Sequence, residues 1–185
     1  PPLRVEGLPS WKRTIDLVLA ALALPVLAVA AFVVALLHGL VSPGPLLFRQ
    51  TRVGHLGRTF TLCKFRTMRA GADESAHRWH LATLAAGGGP LRKLDQERDG
   101  RVFPGGRLLR ASGIDELPQL VNVLRGDMSL VGPRPPIPAE VAKYQRWQRR
   151  RLSMKPGLTC LWQISGRNHL DFDRWMQLDL EYIDS

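Results

Sequence analysis

Residues 17–37 read LVLAALALPVLAVAAFVVALL and contain no charged side chain. In an α-helix this stretch is about 30 Å long, which matches the hydrocarbon thickness of a bilayer. A surface helix of a soluble protein carries polar residues along one face, and this stretch does not. The sequence therefore predicts a membrane segment, and a buried helix of a soluble protein is the alternative.

Pro25 lies near the middle of the stretch, where a proline removes a backbone hydrogen bond and bends a helix. Positive charge, which marks the cytoplasmic side of a membrane segment, flanks both ends. Lys12 and Arg13 precede the stretch at the expected membrane–water boundary, and further lysine and arginine residues follow it between residues 49 and 69. We therefore expect residues 11–40 to form a re-entrant helix that bends at Pro25. A straight span whose downstream domain overrides the charge rule is the alternative.

The composition narrows the class of partner. The 185 residues suffice for one domain with a sizeable core. They include 26 Lys+Arg and 16 Asp+Glu, a formal net charge of +10, which predicts an anionic partner. Nucleic acid, an anionic membrane surface and phosphorylated substrates all qualify. Cys63 and Cys160 are too few for a disulfide framework or a zinc cluster, so we expect free thiols.

Turn residues divide the rest of the chain into short elements, which indicates an α+β fold with a few short strands and amphipathic surface helices. Arg52 falls in the predicted turn between the first two strands. The predicted strands are residues 46–49, Thr59–Phe65 and the end of 127–132, and the predicted helices are Gly106–Ser112, 139–152 and 172–183. Residues 1–10 are expected to be a linker, and residues 71–106 a mobile loop.

Asp115 and Glu116 place two adjacent carboxylates in a mainly apolar segment, just downstream of Arg107 and Arg110. Adjacent carboxylates repel each other, so a bound cation or nearby arginines must keep them charged. The pair also stands where a short helix could begin, with Pro118 in its first turn. For an isolated pair, the acidic N-terminus of an ordinary helix is the alternative.

Three further cations are candidates for a phosphate site. Lys64 and Arg66 close an apolar strand and are candidates to point toward a bound phosphate. Arg134 lies among prolines, in the run PRPPIP of residues 133–138, which fixes the backbone at low entropic cost. We expect Arg134 to be held in place for an anion, with a polyproline linker as the alternative.

Four segments occur in a characteristic order behind the proline-containing apolar stretch. They are KFRTM at 64–68, DELPQL at 115–120, GDMSLVGPRP at 126–135 and KPGLT at 155–159. With them the chain resembles the bacterial sugar transferase family, the monotopic polyprenyl-phosphate phosphoglycosyltransferases, over residues 12–183. The resemblance implies an enzyme that moves a sugar 1-phosphate from a UDP-sugar to a polyprenyl (undecaprenyl) phosphate and releases UMP. It also implies Mg²⁺ as cofactor and a covalent phospho-sugar on the aspartate of the dyad.

We assign these roles to residues of this chain by their positions in the matching motifs. The resemblance implies that Asp115 is the nucleophile, that Glu116 is its partner, and that both are candidate metal ligands. The candidate phosphate contacts are Lys64, Arg110, Arg134 and Pro135. This chain departs from the family pattern at Leu24, where serine often precedes the proline, and at Cys160, where glycine is common. We interpret Cys160 as a packing variant.

The resemblance further implies a bacterial inner-membrane protein whose catalytic domain, residues 41–185, faces the cytoplasm. The chain would be the catalytic part of a larger undecaprenyl-phosphate sugar phosphotransferase in exopolysaccharide, O-antigen, capsule or glycoconjugate assembly. A homodimer is left open. Two rivals are a non-catalytic membrane-surface scaffold of the same family and a basic nucleic-acid binder. We expect no nucleic-acid partner, because the apolar stretch and the missing DNA- or RNA-binding motif argue against one.

Overall fold

The computed structural model describes residues 9–69, 71, 99–165 and 172–185, and in this part the chain has the predicted α+β fold. The helices are α1 (Ser10–Leu22), α2 (Leu24–Val41), α3 (Gly106–Ser112), α4 (Gln119–Arg125), α5 (Pro138–Val141), α6 (Leu161–Ile164) and α7 (Phe172–Asp184). The strands are β1 (Leu47–Val53), β2 (Thr59–Phe65), β3 (Ser129–Val131) and β4 (Gly157–Thr159). Short 3₁₀ helices cover His55–Gly57, Ile114–Glu116 and Gln148–Ser153. The predicted linker and most of the predicted mobile loop lie outside the described residues.

The apolar stretch forms two helices, α1 and α2, that are separated at Ala23. Pro25 lies in the first turn of α2, where the missing N–H costs no helical hydrogen bond. The sequence therefore identified the break, which falls two residues before the proline. By length and composition α2 is apolar enough to cross a membrane, and only 11% of it is buried within the protein.

Polar side chains fix α1 to the rest of the protein. Arg13 donates hydrogen bonds to the carbonyls of Val123 and Leu124, at 2.7 and 3.0 Å, in the last turn of α4. A cation at this end of a helix satisfies carbonyls that have no partner within the helix. The buried carboxylate of Asp16 accepts a hydrogen bond of 3.0 Å from the Leu130 N–H. The first turns of α1 are therefore part of the folded domain.

Lys12 completes this attachment. It donates to the hydroxyl of Ser129 and to the carbonyl of Val131, the latter at 3.0 Å. Lys12 and Arg13 thus have a structural role that the sequence did not indicate. Their predicted position at the membrane–water boundary stays a prediction.

β1 and β2 form an antiparallel hairpin in which Arg52 pairs with Phe60 and Phe48 pairs with Lys64. The prediction for Thr59–Phe65 is confirmed, but β1 is longer than predicted and includes Arg52, so placing Arg52 in the turn was wrong. Since side chains alternate along a strand, Arg52, Leu62 and Lys64 share one face of the hairpin. Leu62 packs against α4 from this face, which brings the hairpin to the dyad segment.

β3 and β4 pair in parallel and bring together two of the quoted segments. Gly132 and Gly157 meet at this crossing, where a Cβ added to Gly157 would lie 2.1 Å from the backbone nitrogen of Gly132. A backbone that approaches this closely leaves room only for glycine. Gly132 of GDMSLVGPRP and Gly157 of KPGLT are therefore required by a contact between the segments.

Both apolar helices contribute to the core. Ala20 of α1 belongs to a buried cluster that also contains Leu62, Leu120, Val123 and Met128. Val34 of α2 belongs to a second buried cluster that also contains Phe65, Phe103 and Leu109. The opposite faces of α1 and α2 leave large apolar side chains exposed, among them Leu22, Val29, Phe32 and Leu40.

The prediction of one basic helix over residues 139–152 was wrong. The chain forms the short α5 and then, after a turn, the 3₁₀ helix Gln148–Ser153. The Gln145 N–H donates to the side chain of Gln148 at 2.8 Å, a contact outside the helical backbone pattern. The turn directs Arg151 into the interior, where it forms an ion pair with Asp179 of α7. The predicted helix over residues 172–183 is confirmed as α7.

Candidate active site

The dyad lies on a short turn between two helices. Gly113 ends α3 with a φ of 74°, a left-handed conformation that favours glycine, and the chain then enters the 3₁₀ turn Ile114–Glu116. Pro118 precedes α4 directly, so the predicted helix start is a 3₁₀ turn followed by a helix. The side chain of Asp115 is buried, with its residue 8% exposed, whereas Glu116 is half-buried. The two adjacent carboxylates therefore have different environments.

Lys64 and Glu116 are brought together across 52 residues of sequence. The Lys64 ammonium lies 3.1 Å from Glu116 Oε1, and both side chains are about one-third exposed. A pair with this exposure contributes about 1 kcal/mol or less to stability. Because a lysine ammonium has three donors, Lys64 can hold Glu116 and still donate to a bound phosphate.

Arg110 and Arg66 have different surroundings. The Nε of Arg110 donates to the hydroxyl of Thr67 at 2.7 Å, which joins α3 to the KFRTM segment beside the dyad. Arg66 is buried and donates to Pro45 and Ser42, including 2.9 Å to the Ser42 hydroxyl. Arg66 thus fixes the end of α2. The suggestion that it points into a phosphate site was wrong.

Two buried arginines hold the segment that carries Arg134. Arg151 donates to the carbonyl of Arg134 at 2.9 Å, and Arg52 donates to the carbonyl of Pro135 at 2.9 Å. The guanidinium carbon of Arg134 lies 5.7 Å from the ring centroid of Trp175, a cation–π distance. The expectation that Arg134 is held in place agrees with these contacts. Pro135 is buried and offers its carbonyl to Arg52, and its predicted role as a phosphate contact stays a prediction.

Arg52 is the residue of this region that sequence reasoning missed. Its side chain is buried and also donates to the side chain of Gln50 at 2.6 Å. Burial, and then the neighbouring guanidinium of Arg134, lower the pKa of Arg52 to about 10, so it remains charged at neutral pH. The available signal was strand alternation: a longer β1 places Arg52 on the face of Lys64.

A cavity of about 220 Å³ opens beside Glu116. It is lined by Gly113, Glu116, Leu117, Leu158, Thr159 and Gln163, which brings the dyad turn to the KPGLT segment. Such a volume is below the roughly 300–1,000 Å³ of pockets that enclose a drug-sized ligand. The cavity therefore suits one part of a larger substrate.

Cys160 follows Thr159 in the chain and belongs to a buried cluster with Trp162 and Trp175, so it has the properties of a packing residue. Burial raises the pKa of its thiol to about 12. Since the thiolate is the reactive form, the thiol is unreactive at neutral pH. The interpretation of Cys160 as a packing variant agrees with this environment.

The dyad suits a magnesium ion that is shared with a substrate. Within residues 9–69, 99–165 and 172–185, no cluster of three or more His, Cys, Asp or Glu side chains is arranged to hold a metal. Mg²⁺ often takes only one or two carboxylates from the protein and completes its octahedron with water and substrate phosphates. Asp115 and Glu116 provide carboxylates of this kind, so the donor set fits a Mg²⁺ bound together with a diphosphate.

Comparisons with known proteins match nearly the whole chain. Residues 8–185 match the sequence profile of the family described as bacterial sugar transferase. The chain is 45% identical over 174 residues to the galactosyl transferase CpsE of Streptococcus agalactiae serotype III. It is 44% identical over 166 residues to the UDP-glucose:undecaprenyl-phosphate glucose-1-phosphate transferase of Caulobacter vibrioides. It is 38% identical over 180 residues to the undecaprenyl-phosphate galactose phosphotransferase of Salmonella typhimurium.

The chain spans only part of these relatives. The three alignments cover 93%, 84% and 93% of this chain but 37%, 54% and 36% of the CpsE, Caulobacter and Salmonella proteins. The family match, residues 8–185, contains all four quoted segments of this chain.

Proposed function

Because the chain belongs to the bacterial sugar transferase family, we propose that it transfers a sugar 1-phosphate from a UDP-sugar to undecaprenyl phosphate and releases UMP. Relatives named for glucose-1-phosphate and galactose phosphate transfer to undecaprenyl phosphate support this activity. The observation in this chain that carries the proposal is the buried Asp115 beside the Lys64–Glu116 ion pair. A carboxylate and cations at one place suit phosphoryl chemistry.

The charges of the substrates favour two displacements over one. A lipid phosphate and a nucleotide diphosphate are both anions, so direct attack of one on the other meets strong repulsion. An enzyme carboxylate as nucleophile divides the reaction into two steps at the same phosphorus. The partial desolvation of Asp115 makes it the better nucleophile of the two carboxylates.

In the first step, a carboxylate oxygen of Asp115 bonds to the sugar-bearing phosphorus. The bond from that phosphorus to the bridging oxygen breaks, and UMP leaves with the electron pair. In the second step, an oxygen of undecaprenyl phosphate bonds to the same phosphorus, and the bond to Asp115 breaks. The products are an undecaprenyl diphosphate sugar and the original carboxylate, so atoms and charges balance.

The surrounding cations stabilise charge on the phosphates. Lys64 lies beside the dyad, paired with Glu116, and Arg110 and Arg134 are the proposed guanidinium contacts. Guanidinium groups suit this role because they bind phosphate oxygens in a bidentate fashion. Glu116 holds Lys64 and is a candidate ligand of Mg²⁺ with Asp115. When bound, Mg²⁺ neutralises the diphosphate and stabilises the leaving group.

We propose that residues 11–40 form a re-entrant membrane helix. The start of α1 is bonded to α4 and β3, and the end of α2 is bonded to the same domain through His38, whose ring nitrogen lies 2.8 Å from the Arg66 carbonyl. Both ends of the helix pair thus contact the domain, while the outer faces expose apolar side chains. This arrangement supports a helix pair that dips into one leaflet beside residues 41–185.

Cysteine labelling tests this topology. In a Cys63→Ser background, we expect Ser10→Cys and Thr51→Cys to react with a membrane-impermeant maleimide in inverted vesicles and to be protected in intact spheroplasts. Both positions are exposed; Ser10 lies at the start of the helix pair and Thr51 follows it in the chain. Val26→Cys, 59% exposed on the apolar face, is expected to stay unlabelled in both preparations. Labelling of Ser10→Cys and Thr51→Cys from opposite sides would show a straight span.

The cellular setting follows from the same proposal. The chain would act at the cytoplasmic face of the bacterial inner membrane, where its basic surface favours anionic lipids. The product would start a polysaccharide or glycoconjugate, and a homodimer remains a prediction.

UMP release tests the function directly. The purified chain in nanodiscs would be given undecaprenyl phosphate, Mg²⁺ and one of a panel of UDP-sugars. We expect UMP with at least one donor, and loss of UMP release when EDTA removes Mg²⁺. If no donor gives UMP while the protein still binds liposomes, the rival proposal of a non-catalytic scaffold is favoured. The donor that reacts identifies the sugar.

A further inference from the structure

Arg52 is a buried cation that forms no ion pair within the part of the chain that the structure describes. The residue is 4% exposed. Among the described residues, no carboxylate oxygen lies within 4.0 Å of its guanidinium, the distance limit for an ion pair. Burying a charge without a paired opposite charge is costly, and an apolar side chain of similar size would avoid that cost. The position of Arg52 therefore calls for an explanation beyond packing.

The hydrogen bonds of Arg52 point to the segment that carries Arg134. One Nη atom donates to the Pro135 carbonyl at 2.9 Å, and the other donates to Gln50 at 2.6 Å. The adjacent residue of the strand, Val53, donates its N–H to the Pro136 carbonyl at 2.9 Å. β1 thus fixes two successive carbonyls directly after Arg134.

A second buried arginine fixes the preceding carbonyl but differs in charge balance. Arg151 donates to the carbonyl of Arg134 and is paired with the buried carboxylate of Asp179. The Arg151–Asp179 pair is neutral as a unit, whereas Arg52 adds a full positive charge. The guanidinium of Arg134 is close enough to Arg52 to disfavour its charge, whereas Glu140 and Glu116 favour it.

From this arrangement we infer that Arg52 is a positioning residue of the anion site. It orients Arg134 through the Pro135 carbonyl, and its charge, which forms no ion pair with a described carboxylate, attracts the diphosphate of the substrate. The inference rests on the proposed function. Arg52 does not touch the substrate, because its side chain is buried. Arg52 and Arg134 carry like charges that repel each other, and a bound dianion stabilises both charges.

The chain offers a matched control for Arg52 on the same strand. Arg49 also belongs to β1, pairs with Cys63 and is exposed. Its position three residues away places it on the opposite face of the hairpin. Like Arg52→Met, Arg49→Met replaces an arginine with an uncharged side chain, but Arg49 makes no contact with the Pro135 segment.

The experiment compares Arg52→Met, Arg52→Lys and Arg49→Met in the full chain. Binding of inorganic pyrophosphate is measured by calorimetry, and kcat and KM are measured for the reactive UDP-sugar. For Arg52→Met we expect pyrophosphate binding to weaken about tenfold or more and KM to rise with it. Arg52→Lys keeps the charge but not the forked geometry, so we expect near-normal binding and a kcat reduced about tenfold. Arg49→Met is expected to stay within about twofold of the wild type.

Two results would overturn the inference. One is an Arg52→Met protein that binds pyrophosphate within twofold of the wild type. If Arg52→Met does not fold, an Arg52→Lys protein with unchanged kcat and KM overturns the positioning role. A wild-type chain that binds pyrophosphate but releases no UMP contradicts the proposed function instead, and the binding comparison then decides the role of Arg52 by itself.

Discussion

The Asp115→Asn protein is expected to release UMP at least about 1,000-fold more slowly than the wild-type chain. An amide has the shape of the carboxylate but lacks its negative charge, so it neither attacks phosphorus nor binds a metal ion as well. Since Asp115 lies on a short 3₁₀ turn and asparagine has the same size, the fold is expected to persist. The measurement is UMP release with the reactive donor, together with the intact mass after incubation without undecaprenyl phosphate.

Mass and rate together separate the covalent mechanism from other roles of Asp115. The wild-type chain is expected to gain the mass of a sugar phosphate when the acceptor is missing, and Asp115→Asn is expected to gain none. Asp173→Asn, the same substitution at an exposed position in the first turn of α7, serves as the control and should keep full activity. An Asp115→Asn protein within tenfold of wild-type turnover, or an adduct on another residue, would exclude Asp115 as the nucleophile.

The Asp179→Ala protein is expected to be destabilised by about 3–5 kcal/mol. The side chains of Arg151 and Asp179 are only 1% and 2% exposed, so removal of the carboxylate leaves a buried guanidinium without its partner. For a chain of this size the loss corresponds to a fall in Tm of roughly 6–20 °C. Thermal unfolding in nanodiscs, followed by circular dichroism, measures it.

A second carboxylate of α7, which forms an exposed ion pair, provides the comparison. Asp184 pairs with Arg150, and both side chains are about half exposed. Asp184→Ala is therefore expected to cost about 1 kcal/mol or less. Asp179→Asn, which keeps an oxygen for hydrogen bonding, should fall between the two. Equal Tm values for Asp179→Ala and Asp184→Ala would show that the buried pair contributes no more than the exposed one.

Loss of the buried pair is also expected to reduce activity, because Arg151 connects it to the site. The same guanidinium donates to the hydroxyl of Tyr144 at 2.7 Å and to the Arg134 carbonyl. Without Asp179, Arg151 is free to change its position, and the backbone at Arg134 loses one of its two arginine contacts. The stability of α7 and the geometry of the phosphate site are thereby coupled.

Local sequence patterns were sufficient for most of the elements. The uncharged stretch with its proline predicted an apolar helix with a break, and turn residues on either side predicted β2 and α3. Each of these signals acts within a few residues, through helix capping, proline geometry or side-chain alternation. The dyad and its flanking arginines became a candidate site through the family resemblance, which rests on the order of four segments along the chain.

Contacts between distant parts of the chain set the features that these patterns missed. The burial of Arg52 depends on the Pro135 carbonyl, 83 residues away, and the pairing of Lys64 with Glu116 joins residues 52 apart. The inward turn that ended the predicted basic helix places Arg151 opposite Asp179, 28 residues downstream. A lysine or arginine has the same local signal whether it faces solvent, a lipid phosphate or a buried carbonyl. Its role is fixed by the desolvation cost and the partners that the folded chain provides.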